Sequence, residues 1–172
     1  MPAAELSFTP PETAEDWAAL AQLTWDYRAH LLSLPAPFSD LQAVVYSADK
    51  VERILAQAPV DARPPLGSVR LVQRDGRAVG CGWLGTFSPG TAVIRRVYLA
   101  PGARGLGAGR ALMDHLIADA RTLGFRRIVM DTGAEMATAQ ALYDSLGFRR
   151  RGPFEKMSAD TEALLVFYEM DL

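Results

Sequence analysis

Val93-Ile-Arg-Arg-Val-Tyr-Leu-Ala-Pro-Gly-Ala-Arg-Gly-Leu-Gly-Ala-Gly-Arg-Ala-Leu112 is the stretch on which the reading of this chain turns. An apolar, β-branched run enters a turn holding Gly102, Gly105, Gly107 and Gly109, and a helical pattern starts directly from that turn. Leu112, Met113, Leu116, Ile117, Ala120 and Leu123 fall on one helical face, with Gly124 placed to end it. Glycines let backbone approach a ligand and take left-handed torsions, and the first turn of a helix offers unpaired N–H groups at the positive end of its dipole. The combination is an anion site. Arg104 and Arg110 add full charges and planar forks suited to phosphate oxygens. A phosphate loop would close on Gly-Lys-Ser or Gly-Lys-Thr, and a dinucleotide fingerprint would space its glycines Gly-x-Gly-x-x-Gly with an acid about 20 residues on. Neither is present. A glycine-rich turn alone also suits a plain strand-to-helix connection, so the flanking segments decide.

Upstream, residues 1–11 read as a leading strand or arm ended by Pro10-Pro11. Trp17, Leu20, Ala21 and Leu23 then set a helical period from Thr13 towards Leu31 and Leu32, broken by Pro35 and Pro37. A second helix is predicted from about Ser47, through Val51, Ile54 and Leu55, ending by Pro59. Residues 68–74 and 77–87 around Asp75-Gly76 predict a hairpin, and residues 91–99 a third strand. Downstream, a strand over 127–132, a helix over 136–146 stopped by Gly147, and strands over 148–154 and 164–170 complete the chain. The order predicts an α/β (α+β) fold, a mixed sheet with helices on both faces.

The 172 residues, 49% hydrophobic, suffice for one sizeable core, so residues 1–172 read as a single domain. Net charge is −2 and Lys50 and Lys156 are the only lysines, which gives no electrostatic case for nucleic acid. Cys81 stands alone, excluding a disulfide within the chain and a cysteine metal site. No basic segment followed by an apolar stretch opens the sequence, and no apolar run reaches membrane-spanning length. The expectation is a cytoplasmic protein without metal or membrane.

Arg104-x-x-Gly107-x-Gly109, following a strand that ends Val-Tyr-Leu-Ala-Pro, resembles the coenzyme-binding motif of the GNAT superfamily of N-acetyltransferases. Arg127-Ile-Val-Met-Asp-Thr132 resembles the next strand, and Ala139-Gln-Ala-Leu-Tyr-Asp-Ser-Leu-Gly-Phe148 the helix and turn after it. The resemblance covers roughly residues 71–172; the earlier part agrees only in general plan. It implies a mostly antiparallel sheet splayed at two central strands, with acetyl-CoA as cosubstrate lying in the gap. Backbone groups of Val97 and Leu99 would then hold the pantetheine arm. N–H groups of Gly105, Leu106, Gly107, Ala108, Gly109 and Arg110, with Arg104, would hold the pyrophosphate. The Leu99 N–H would face the developing oxyanion, and Tyr143 would serve the departing thiolate as proton donor. The acceptor implied is a primary amine on a small molecule or peptide, and family members often pair as homodimers through closing-strand edges.

Two positions depart from the family pattern. Val93 stands where many relatives carry a glutamate base, and Met136 where many carry an asparagine. A non-catalytic acyl-CoA-binding module is therefore the alternative. Asp131 and Glu135 are the carboxylates nearest in sequence, though a strand-end acid and a solvated helix-start residue describe them equally. Tyr143 also fits a core role beside Leu142 and Leu146. Cys81 reads as a small buried hydrophobe, His115 as solvent-facing, and Arg149-Arg-Arg151 as a solvated basic run. Trp25, Tyr27, Arg28 and His30 fit either packing or an acceptor wall, and strand alternation lets at most one of Arg95 and Arg96 face the cleft.

Overall fold

The computed structural model describes residues 5–172, so the first four residues of the expected leading arm lie outside the described residues. Strand β1 (Leu6–Thr9) precedes helix α1 (Ala14–Leu32). Thr13 caps α1 by accepting from the Asp16 N–H, while the Asp16 carboxylate accepts from the Thr13 N–H. This reciprocal pair satisfies two donors that a helix start otherwise leaves open.

The prolines at 35 and 37 do stop α1, but a further helix that the sequence reading missed follows at once: α2, Phe38–Val45. Pro37 is its N-cap, where a missing N–H costs no helical hydrogen bond. Helix α3 (Ala48–Asp61) also runs past the stop expected at Pro59. Proline deletes the one bond that would reach back to the Leu55 carbonyl, and the Ala62 N–H closes the end on Ala58 O at 2.9 Å.

Strands β2 (Gly67–Arg74) and β3 (Arg77–Ser88) form the expected hairpin. Its turn residues Asp75 and Gly76 have φ of 50° and 76°, the left-handed pair such a two-residue turn requires. Strand β4 (Thr91–Leu99), helix α4 (Ala108–Thr122), strand β5 (Arg127–Gly133) and helix α5 (Ala137–Ser145) follow in the expected order. Helix α4 ends as its glycine foretold, with Gly124 N–H on Arg121 O and Phe125 N–H on Ala120 O, both at 3.0 Å. The strand expected over 148–154 shrinks to β6 (Arg149–Arg151), because Pro153 has no N–H to extend the ladder. A short helix, α6 (Ala159–Glu162), lies before β7 (Leu165–Asp171).

The seven strands form one sheet ordered β1-β2-β3-β4-β5-β7-β6, antiparallel except where β4 meets β5. Of the two closing strands only β6 lies at an edge. The fold is thus the mixed, mostly antiparallel sheet with helices on both faces that the sequence implied. On one face Leu112, Met113 and Leu116 of α4 pack against Leu84, Ile94, Ile128 and Met130. On the other, Leu20 and Leu23 of α1 and Ala58 of α3 cover Val69, Leu71, Cys81 and Trp83. Each fully buried leucine contributes about 1.5–3 kcal/mol to holding these layers together. Asp119 of α4 accepts from Ser68 and Arg70, fastening that helix across β2.

The parallel pair is short. β4 and β5 register only at Thr91 with Arg127, Ala92 with Ile128 and Val93 with Val129. Beyond Val129, β5 stays with β7 to Gly133, while β4 stays with β3 to Leu99. The two central strands therefore part and leave a wedge open through the middle of the sheet.

Candidate active site

The backbone lining the wedge is oriented by the ladder beside it. The Ala100 N–H donates to Val79 O at 2.8 Å, and strand alternation then turns the peptide groups of Leu99 and Val97 away from β3 and into the gap. The Leu99 carbonyl accepts from Arg104 Nε at 3.0 Å, which folds the turn back over the strand end. A 3-10 turn at Pro101–Ala103 leads to Gly105 and Gly107, with φ of 76° and 74°. Gly107 is the N-cap of α4, and no side chain caps that end. Ala111 N–H makes the first helical bond, to Gly107 O at 3.1 Å, so the N–H groups of Ala108, Gly109 and Arg110 have no intrahelical acceptor. Arg110 reaches Ser145 Oγ at the end of α5, tying the two helices at the mouth of the wedge. Val97, Leu99, Arg104 and the run from Gly105 to Arg110 thus lie together at the end of β4 and the start of α4. This array of donors, glycines and arginines fits a phosphate-bearing ligand.

A cavity of about 450 Å³ occupies the wedge and the space before it. Residues 94–97 of β4 and 130–133 of β5 form its walls, and Tyr143 lines it from α5. Tyr143 is 7% exposed, its ring edge-on to Tyr168 at 5.6 Å and to Phe148 at 6.2 Å. Burial, reinforced by the charges of Asp131 and Tyr168, pushes its phenol up to about 12. Tyr143 is thus both a core residue and a cavity residue.

Asp131 also faces the cavity, whereas Glu135 does not line it. Asp131 is exposed to solvent by surface area while still lining the cavity. Desolvation raises its carboxyl above the ordinary range; Arg95 opposes the shift and Glu155 adds to it. Of the aromatic and basic group in α1, Tyr27 lines the cavity. Arg28 is spent on Tyr46 O at 2.7 Å, with its guanidinium over the Trp25 ring, and His30 leans on Tyr98 at 6.1 Å. Burial and the charge of Arg104 lower the His30 pKa.

Arg95 and Arg96 overturn the alternation rule applied to the sequence, since both line the cavity. Cys81 pairs with Tyr98 but Trp83 pairs with Arg95, so β4 carries one extra residue there. Arg96 takes it up in a left-handed conformation, φ 53°, unusual for a residue other than glycine. This bulge brings consecutive arginines to one side of the sheet.

Other sequence readings settle simply. Cys81 is buried, its thiol pushed up to about 12 by desolvation. His115 is exposed, with Phe8 stacked on it at 4.9 Å. The basic run over 149–151 is engaged with acids: Arg149 and Arg151 with Glu169, Arg149 with Asp171, and Arg150 with Asp144. Met136 lines the cavity as the N-cap of α5, its sulfur accepting from Thr132 Oγ1 at 3.5 Å. Two parts of the wall were missed from sequence. One is α2, through Phe38, Leu41, Gln42 and Val45; the other is the loop at 155–157. The spacing of the α2 residues was a usable helical signal, masked by the neighbouring prolines.

Residues 17–148 match the family model for the acetyltransferase (GNAT) family. Among curated relatives, an IAA acetyltransferase of Azospirillum brasilense is 34% identical over 97 residues, 56% of this chain and 63% of its own length. The chain thus spans less than two thirds of that relative. Among solved structures, an acetyltransferase from Streptococcus agalactiae superposes with a TM-score of 0.74 at 18% identity, covering 97% of this chain and 98% of that one. A PaiA N-acetyltransferase from Thermoplasma acidophilum in complex with coenzyme A gives 0.68 at 14%, covering 98% and 99%. At these identities the two structures speak for the fold.

Proposed function

The chain belongs to the GNAT family of acetyltransferases, and on that premise we propose that it moves acetyl from acetyl-CoA directly to a primary amine of a small molecule or peptide. The observation that carries the reading is the parting of β4 and β5 beyond Val93 and Val129, directly beside an uncapped helix start. A solved neighbour of the same fold holds coenzyme A. A cytoplasmic location, where acetyl-CoA is supplied, is part of this reading.

In this reading the N–H groups of residues 105–110 and Arg104 hold the pyrophosphate, and the turned-out peptides of Val97 and Leu99 hold the pantetheine arm. The amine nitrogen, neutral after an ammonium has given its extra proton to solvent, attacks the thioester carbonyl carbon. A C–N bond forms, the C–S bond breaks, nitrogen gives up one more proton, and sulfur leaves as a thiolate that solvent protonates. The Leu99 N–H stabilises the oxygen on which charge develops. Asp131, whose raised carboxyl suits a base better than an ordinary aspartate, takes the amine's proton. Tyr143 serves the sulfur. With its phenol near 12 and a thiol near 8.5, complete transfer would be uphill by roughly 5 kcal/mol, so Tyr143 acts chiefly as a hydrogen-bond donor to the departing sulfur. Protonation of Asp131 removes one of the charges that raise the Tyr143 pKa, so the base step makes the tyrosine a better donor.

One observation favours a second reading, a coenzyme-binding module without transfer: Val93 is a buried apolar residue, 4% exposed, where the family pattern places an acid. Thiol release from acetyl-CoA with a panel of primary amines separates the two. Amine-dependent release supports transfer, and coenzyme binding without release supports the module.

A further inference from the structure

The bulge in β4 does more than shape the wedge. It leaves Arg96 with its Cζ 4.5 Å over the Trp83 ring and its Nε buried without a hydrogen-bond partner among the described residues. Arg96 makes no ion pair among those residues. Its neighbour Arg95 has only a long contact, 3.9 Å, to Glu155. Both arginines border two adjoining cavities, the one in the wedge and one of about 320 Å³ beneath α3. A half-buried guanidinium lying over an indole, with its Nε buried and unpaired, is a partly preorganised fork for a planar anion. Across the wedge stands Asp131, an acid suited to an ammonium group. The same cavity is lined by Phe38, Leu41 and Val45 of α2 and the ring of Tyr27, with the polar Gln42 among them.

Resting on the transfer reading above, we propose that the acceptor is a small amino acid-like zwitterion, its carboxylate held by Arg95 and Arg96 and its amine directed to Asp131, with an apolar side chain against α2. The two arginines are on the acceptor side; the coenzyme phosphates have their own cations in Arg104 and Arg110. A peptide N-terminus has no carboxylate beside its amine, and a simple alkylamine has none at all. Such acceptors would leave the Arg96 fork unpaired at the moment of transfer.

The test uses the full chain with acetyl-CoA and three acceptors sharing one ring: phenylalanine, phenylalaninamide and phenethylamine. Thiol release gives kcat and KM, and calorimetry with CoA is run in parallel. The proposal expects phenylalanine to exceed both others by at least about tenfold in kcat/KM, because an acceptor without a carboxylate leaves the arginine fork unpaired. It expects Arg96→Gln to raise the KM for phenylalanine at least tenfold, to leave phenethylamine unaffected and to leave CoA affinity unchanged. If Arg96→Gln folds poorly, Arg95→Gln takes its place with the same selective loss. Equal use of the three acceptors, a preference for phenylalaninamide, or a preference that survives both substitutions would overturn the zwitterion assignment. So would turnover of phenylalaninamide or phenethylamine without turnover of phenylalanine, whereas CoA binding with no turnover of any of the three would sink the transfer reading. Absence of CoA binding would sink that reading too.

Discussion

Replacing Gly107 by leucine separates backbone strain from ligand exclusion. Gly107 sits at φ 74°, and a Cβ built there meets no atom within 4 Å. The substitution therefore carries no protein clash, only the left-handed penalty of roughly 1–2 kcal/mol for an L-residue. For a chain of this size that lowers Tm by about 2–8 °C. The new side chain would stand at the uncapped start of α4, where the diphosphate is proposed to lie. Losing two charge-assisted bonds of about 1.5–3 kcal/mol each weakens CoA binding by about two to four orders of magnitude. Gly124→Leu is the matched control: φ is 82°, the space is equally open, and the residue lies at the far end of the same helix. Thermal melts should show similar losses for the two variants, while calorimetry shows CoA affinity lost only for Gly107→Leu. Affinity within twofold of the parent for Gly107→Leu, or an equal loss for Gly124→Leu, would refute the reasoning.

Tyr143→Phe should lower kcat by about tenfold or more with CoA affinity unchanged, as expected for a group acting on the departing sulfur; an unchanged kcat removes that role. Asp131→Asn should cut turnover yet stabilise the fold at neutral pH. The Asp131 pKa is raised above 3.8 on folding, so the native state binds the proton more tightly and the wild-type group costs stability above its folded pKa. That cost vanishes as pH falls below 3.8, so the variant's gain in Tm seen at pH 7 should disappear in acid; a gain independent of pH contradicts the assignment. Thr13→Ala removes the reciprocal cap on α1 and should cost about 0.5–2 kcal/mol in chemical denaturation with CoA binding intact. A variant as stable as the parent would show that the cap contributes little.

The half of the molecule proposed to bind the coenzyme was legible because its signals are local. Gly105 and Gly107 are required by positive φ, Gly124 and Gly147 by helix ends, and Asp75-Gly76 by the hairpin. The half proposed to hold the acceptor depends on tertiary placement. Proline at 37 looked like a break because its cost was judged for a helix interior, whereas it occupies the cap of α2. Arg95 and Arg96 were assigned to opposite faces because alternation was assumed to continue through a strand that in fact carries a bulge. Asp131 could be named from sequence but not chosen, since what distinguishes it from Glu135 is the cavity it faces. The loop at 155–157 lies far along the chain from β4 and reaches the cavity only because β7 pairs with β5.

The proposal at the centre of this account is that the start of α4 recognises a diphosphate. Calorimetric titration of the parent protein with CoA and with pantetheine, which shares the arm but lacks the diphosphate, tests it most directly. The account predicts one-to-one binding of CoA at least about 100-fold tighter than pantetheine, the value of roughly two charge-assisted hydrogen bonds. Equal affinities, or no heat with CoA, would contradict it.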